Sequence, residues 1–205
     1  MLARLAAAFL ACSLATGAAT AAGFATRPPA ASADTAEQAP SRAAVRSALA
    51  ARRAHNLAAF RAYAKAGVYP HNFVRPGPLN VWRDADGHLC AAATMIDRDG
   101  KHDLVADTAT KANHIRLLDV TDGALLDWML TSGLTIEEID RIQAPAMAPV
   151  EPQRDWRKDE DARLRVSYAA TDRWLADHAN AGLDTATDRL MASPVLAGRL
   201  LAGAL

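Results

Sequence analysis

One thiol and three histidines carry most of the reactive chemistry in the middle of this chain. Between Val81 and Gln143 stand Cys90, His88, His102 and His114, among twelve Asp/Glu and six Lys/Arg. Cys90 opens the run Ala-Ala-Ala-Thr-Met-Ile, whose residues favour helix over the competing hairpin strand, so the sulfur falls at a helix start, where main-chain amides lower a thiol's pKa. His114, just ahead of a short strand candidate at 115–120, is the matching base, with Asp119 or Asn113 to orient it. That set describes a thiol-dependent hydrolase or transferase. Two facts weigh against it. Cysteine is among the residues most often buried, and the neighbours here are alanines. The chain also offers too few strands for the sheet that usually carries such a histidine. An inert, packed Cys90 is the leading reading and the catalytic trio Cys90, His114 and Asp119 the alternative.

The same block raises metal binding, through His88, His102 and His114 with Asp84, Asp86, Asp99 and Asp103. Their spacings match no familiar zinc pattern. The segment 97–103 departs from a calcium loop, because Met95 stands where the first aspartate belongs. Turn-forming aspartates and surface histidines account for the cluster, so no metal ligand is assigned. No phosphate-cradling glycine loop and no serine nucleophile elbow occurs, and no cofactor is assigned. Trp82 and Trp128 read as core anchors.

What must position these residues is a chain of 205 residues, 51% hydrophobic and 22% charged, enough for one modest core. Its net charge of zero hides a division: residues 1–80 hold nine Lys/Arg and two Asp/Glu, and the central block reverses the sign. Residues 1–25 carry Arg4, an apolar run from Leu5 to Leu14 and the small residues Ala19-Thr20-Ala21, the pattern of an export signal and too short an apolar run for a membrane span. Cys12 offers the alternative of a lipid anchor, which Phe9 and Leu10 fit poorly. With Cys12 removed, Cys90 is the one thiol of the exported form, and no internal disulfide can form. Residues 26–40, rich in proline and alanine, are expected to be a disordered linker.

Ser41 is placed to cap a helix that runs to Ala66 and stops at Gly67. This helix bears Arg42, Arg46, Arg52, Arg53, Arg61 and Lys65 and no acid. Leu57, Phe60, Tyr63 and Ala64 form its buried stripe. Arg53 falls on that stripe, and an unpaired buried charge costs several kcal/mol, so it is expected to meet a carboxylate or carbonyls of the central block. Contact of Arg46, Arg52 and Arg61 with an anionic surface is weighed against charge complementarity with the protein's own acidic centre and a solvated face, and the second is favoured. Nucleic acid is not expected as a partner, since no aromatic side chains interleave with the basic ones.

Residues 68–78 read as a proline-fixed connector and Leu79–Arg83 as a strand closed by the turn Asp84-Ala-Asp-Gly87. Helices follow at 102–113 and 123–132. Thr135-Ile-Glu-Glu138 is a capping box opening a third helix, with Ile136, Ile139 and Ile142 on one side. The segment 144–153, with three prolines, reads as a linker, then one helix from Asp155 to Ala181 stopped at Gly182, then a last short helix from Ser193. The fold class is α+β, mainly helical: a central module (41–143) with a small strand element, and a helical C-terminal part (154–205).

Three stretches, Leu79–Thr94, Asn113–Val120 and Asp127–Gln143, with the pieces Asp-x-x-Gly-x-x-Cys and Ser-Gly-Leu-Thr-x-Glu-Glu, resemble a group of exported bacterial proteins without assigned activity. The resemblance covers about Arg53 to Gln143. It implies a shared domain and export, and it brings no reaction with it. The resulting expectation is a non-catalytic binding or structural module of the cell envelope.

Overall fold

The computed structural model describes residues 39–205 except 153. The expected export signal, the linker up to residue 38 and Cys12 lie outside the described residues. The described chain is mainly helical, with eight helices and one two-stranded antiparallel sheet.

Helix α1 (Arg42–Ala66) is the axis on which the rest packs, and it ends at Gly67 in the left-handed region (φ 67). Ser41 occupies the N-cap with extended backbone, but its side chain makes no capping bond. The C-terminal half of α1 inserts Leu57, Phe60 and Tyr63 into a large core with Trp82, Met95, Ile96, Met129, Ile139, Ile142 and Tyr168. Its N-terminal half inserts Val45 and Leu49 into a second cluster with Leu183, Leu190, Leu196 and Leu200.

After α1, Tyr69 returns to the core. Its ring lies 5.3 Å from those of Tyr63 and Tyr168, and its hydroxyl donates to the Ala64 carbonyl at 2.8 Å. The connector then enters strand β1 (Gly77–Leu79), which pairs with β2 (Ala146–Ala148) in the register Gly77 to Ala148 and Leu79 to Ala146. The strand thus sits earlier than the expected Leu79–Arg83. Arg83 makes only an isolated bridge to Leu89 across the turn.

Strand β2 falls inside the segment expected to be a linker. Pro145 and Pro149 flank the strand rather than interrupt it, which leaves its amides free to pair. The helix that follows it supplies Leu164, Tyr168 and Leu175 to the core that also holds Phe60 and Trp82, so the packing does not break at residues 144–153.

Helices α2 (Ala91–Arg98), α3 (His102–Ala112), α4 (Gly123–Thr131) and α5 (Ile136–Gln143) follow. The strand expected at 115–120 is instead a 3-10 turn, Leu117–Asp119. The Ile115 carbonyl accepts from the Asn80 and Gln143 side chains at 3.1 and 3.0 Å, a role that a strand neighbour would otherwise fill.

The long helix expected to end at Gly182 is two helices, α6 (Trp156–Asp177) and α7 (Ala179–Met191), with the change of direction at His178. Gly182 lies inside α7, buried, because a Cβ there would overlap the Glu138 carboxylate. Helix α8 (Pro194–Leu201) docks Leu196 and Leu200 onto the α1–α7 cluster.

Arg53 finds the partner expected of it. Its guanidinium is bidentate on Glu138, at 2.7 and 2.8 Å, and also donates to the carbonyls of Gly133 and Leu175. Glu138 in turn accepts from the Thr135 amide and closes the capping box of α5. Gly133 is required there twice over: its φ is 79, and a Cβ would collide with the α1 backbone at Leu49 and Arg53.

Candidate functional site

The connector between α1 and β1 is folded by one buried side chain. Asn72 donates to the carbonyls of Arg75 and Gly77, both at 2.9 Å, and accepts from the amides of Val74 and Arg75. This wraps 72–77 into a tight loop and turns Phe73 and Val74 outward, where both are exposed. Opposite them, Ala148, Pro149, Val150, Pro152, Trp156 and Arg157 form the other wall of an open groove of about 350 Å³, with Val150 exposed on its rim. The Phe73 and Trp156 rings meet edge to face at 5.8 Å, and the Arg157 guanidinium lies 4.7 Å from the Phe73 ring centre.

At one side of this groove His71 stands against both aromatic walls, 6.0 Å from Phe73 and 5.7 Å from Trp156 between ring centres. Behind it is Asp84, the first residue of the Asp-Ala-Asp-Gly turn, with its carboxylate fully shielded from solvent. One oxygen of Asp84 accepts the amides of Asp86 and His88 at 3.0 and 2.8 Å. The other accepts the His71 amide at 3.1 Å and faces His88 Nδ1 at 3.2 Å. The turn and the connector are therefore tied through one carboxylate. His71 Nε2 lies 3.2 Å from Asp161 of α6, so a third element joins the cluster. His71, Asp84 and His88 each offer one ligand atom, all within 4.8 Å of one another.

The residues singled out for catalysis do not come together in this way. Cys90 is the N-cap of α2, as its spacing implied, but it is 2% exposed and its sulfur accepts from the Ala93 amide at 3.4 Å. Burial pushes the thiol up to about 12, against the lowering pull of the helix amides. Loss of solvation outweighs the helix start, and the thiolate is not available near neutral pH. His114 is exposed and its Nδ1 faces the Asn80 carbonyl at 2.8 Å, while Asp119 is exposed on the 3-10 turn. Asn113 exchanges two hydrogen bonds with the Arg83 backbone and serves the chain path rather than an imidazole.

Of the seven residues weighed for a metal, only Asp84 and His88 meet. His102 pairs with Asp97 at 2.7 Å on the surface. Asp99 is buried and engaged by Arg52, by Trp128 Nε1 at 2.6 Å and by His55 at 3.0 Å. Asp86 gives the turn its amide, and Asp103 lies exposed in the first turn of α3. His71 and Asp161 were not among the seven. The one local signal for His71 was its position after Pro70 in a proline-fixed connector, a loop held on a rigid scaffold.

The three arginines considered for an anionic surface each hold an acid of their own chain: Arg46 with Asp184, Arg52 with Asp99 and Arg61 with Asp172. Arg42 likewise meets Asp188. Three of these four acids come from α6 and α7; with Arg53 on Glu138, the basic helix is neutralised by both the C-terminal helices and the acidic centre, not by the centre alone. Among the described residues no helix is long and apolar enough to cross a membrane. Compared with known proteins, the chain matches no family model, no curated protein and no solved structure.

Proposed function

We propose that this is an exported, non-catalytic binding module of the cell envelope, and that its groove takes an extended acidic segment of a partner protein. The observation that carries this reading is the groove's composition. Phe73, Val74 and Val150 are exposed beside Trp156, and the cations at the groove, Arg75 and Arg157, are in no ion pair among the described residues. Elsewhere on the surface the arginines of α1 are matched by aspartates. An apolar strip bordered by unmatched guanidinium groups complements a peptide that alternates apolar and acidic side chains. The groove is open and shallow, which suits a chain laid across it better than an enclosed small molecule. Export is supported by the Arg4, Leu5–Leu14 and Ala19-Thr20-Ala21 pattern.

Fluorescence anisotropy tests this with a short labelled peptide alternating glutamate and leucine and its lysine counterpart. The acidic peptide is expected to bind saturably, to weaken with added salt, and to lose about tenfold in affinity with Arg157→Glu or Phe73→Ala. Equal binding of the lysine peptide, or binding indifferent to both substitutions, would refute the reading.

A further inference from the structure

We infer that His71, Asp84 and His88 form a binding site for one divalent transition ion of the Zn2+ class, independent of whether a peptide occupies the groove. The donor set is two imidazoles and one carboxylate, which suits zinc and its neighbours and disfavours calcium and magnesium. The three ligands come from two chain segments, the connector and the Asp84 turn, that the Asn72 loop and the Asp84 carboxylate already hold in register. Their ligand atoms lie within 4.8 Å of one another, and His88 Nδ1 is 3.2 Å from an Asp84 oxygen. Adjacent ligands of a tetrahedral ion with bonds of about 2.1 Å lie about 3.4 Å apart. His88, whose side chain is 36% exposed, is the ligand freest to adjust.

The cluster already has features that a metal site needs. The Nε2 of His71 is held by Asp161; with Nδ1 as the ligand, Asp161 would be the carboxylate behind a ligand histidine that fixes its ring and raises its basicity. The Asp84 oxygen facing His88 accepts one main-chain amide besides, so an ion would replace the ring proton at that contact and leave the turn's other hydrogen bonds intact. Asp84 and Asp161 together offset the two charges of the ion. Three protein ligands leave a fourth position for water.

Isothermal titration of Zn2+ into protein purified without a polyhistidine tag tests the site. One ion per chain is expected, with micromolar or tighter affinity, and His88→Gln is expected to weaken it by at least about tenfold. Because His88 is partly in solvent, that variant is expected to fold. His71→Gln should weaken zinc to the same extent, whereas His102→Gln, at a surface pair, should leave it unchanged. Zinc should also raise the Tm of the unmodified protein and not that of His88→Gln. No saturable binding, or binding that survives His88→Gln and falls with His102→Gln, would overturn the inference.

Discussion

Two parts of this molecule bring charged side chains together, and they do so in opposite ways. At the joint between α1, α5, α6 and α7, Arg53 and Glu138 are sealed from water. Each is multiply bonded, and Gly133 and Gly182 let the backbones close over them. Beside His71 and Asp84, Phe73, Val74 and Arg157 of the groove face solvent, and the His88 side chain stays partly exposed. The contrast separates two uses of polar residues. The sealed set bonds within itself, Arg53 Nε excepted, and fixes how helices meet, while the open set keeps bonding capacity for something outside the chain.

The sharpest way to break the comparison is to break the joint. Arg53→Ala or Glu138→Ala leaves the other charge buried alone and is expected to cost about 3–5 kcal/mol in urea unfolding. Arg53→Met with Glu138→Leu should regain most of it, because it removes both charges together. If either single alanine variant loses less than the surface pair Arg189→Ala, the joint is not sealed.

Gly133→Ala comes next, at about 2–4 kcal/mol, since it adds a left-handed alanine and a collision with α1. The same substitution at Gly87, with φ 87 and nothing near its Cβ position, carries only the backbone strain and should cost less.

Cys90 tests which side of the divide the thiol belongs to. With its thiol up at about 12, native Cys90 should react with iodoacetamide near neutral pH only as fast as the protein opens, and Cys90→Ala should cost about 1–2 kcal/mol. Rapid native labelling with an inflection near neutrality would restore the thiol enzyme.

The smallest effect is at Glu137. Hydrogen bonding to Arg189 holds its carboxyl down at about 2, below the ordinary 4.5. A lowered folded pKa stabilises above the unfolded value, so this contribution is complete above about pH 4.5 and disappears as pH falls toward 2. The pair is largely in water, so it should be worth less than about 1 kcal/mol, visible as a shallower acid limb in Arg189→Ala.

The sealed joint was more legible in the sequence than the open face. An arginine on an apolar helical stripe demands a partner, and Thr135-x-x-Glu138 announces a capping box, so both halves of the joint could be read locally. That they are halves of one structure could not, because nothing local links residue 53 to residue 138. Gly182 misled for a related reason: glycine commonly ends a helix, but here it makes room for the Glu138 carboxylate. The prolines at 145 and 149 suggested a linker and instead bracket a strand whose partner is β1. His71 lacked any spacing relation to Asp84 and His88, since their meeting depends on the Asn72 loop and on α6 supplying Asp161. Periodicity and caps report local structure, whereas close approach and pairing are set by distant segments.

Hydrogen exchange followed across the whole chain, with and without the glutamate–leucine peptide, tests the contrast most directly. The hydrogen-bonded amides of Leu134, Thr135, Glu138 and Ile139 should be among the slowest in the free protein and unchanged by the peptide, while protection should appear in 72–75, 148–152 and 156–157. Fast exchange at those four amides, or peptide protection confined to other segments, would contradict the account.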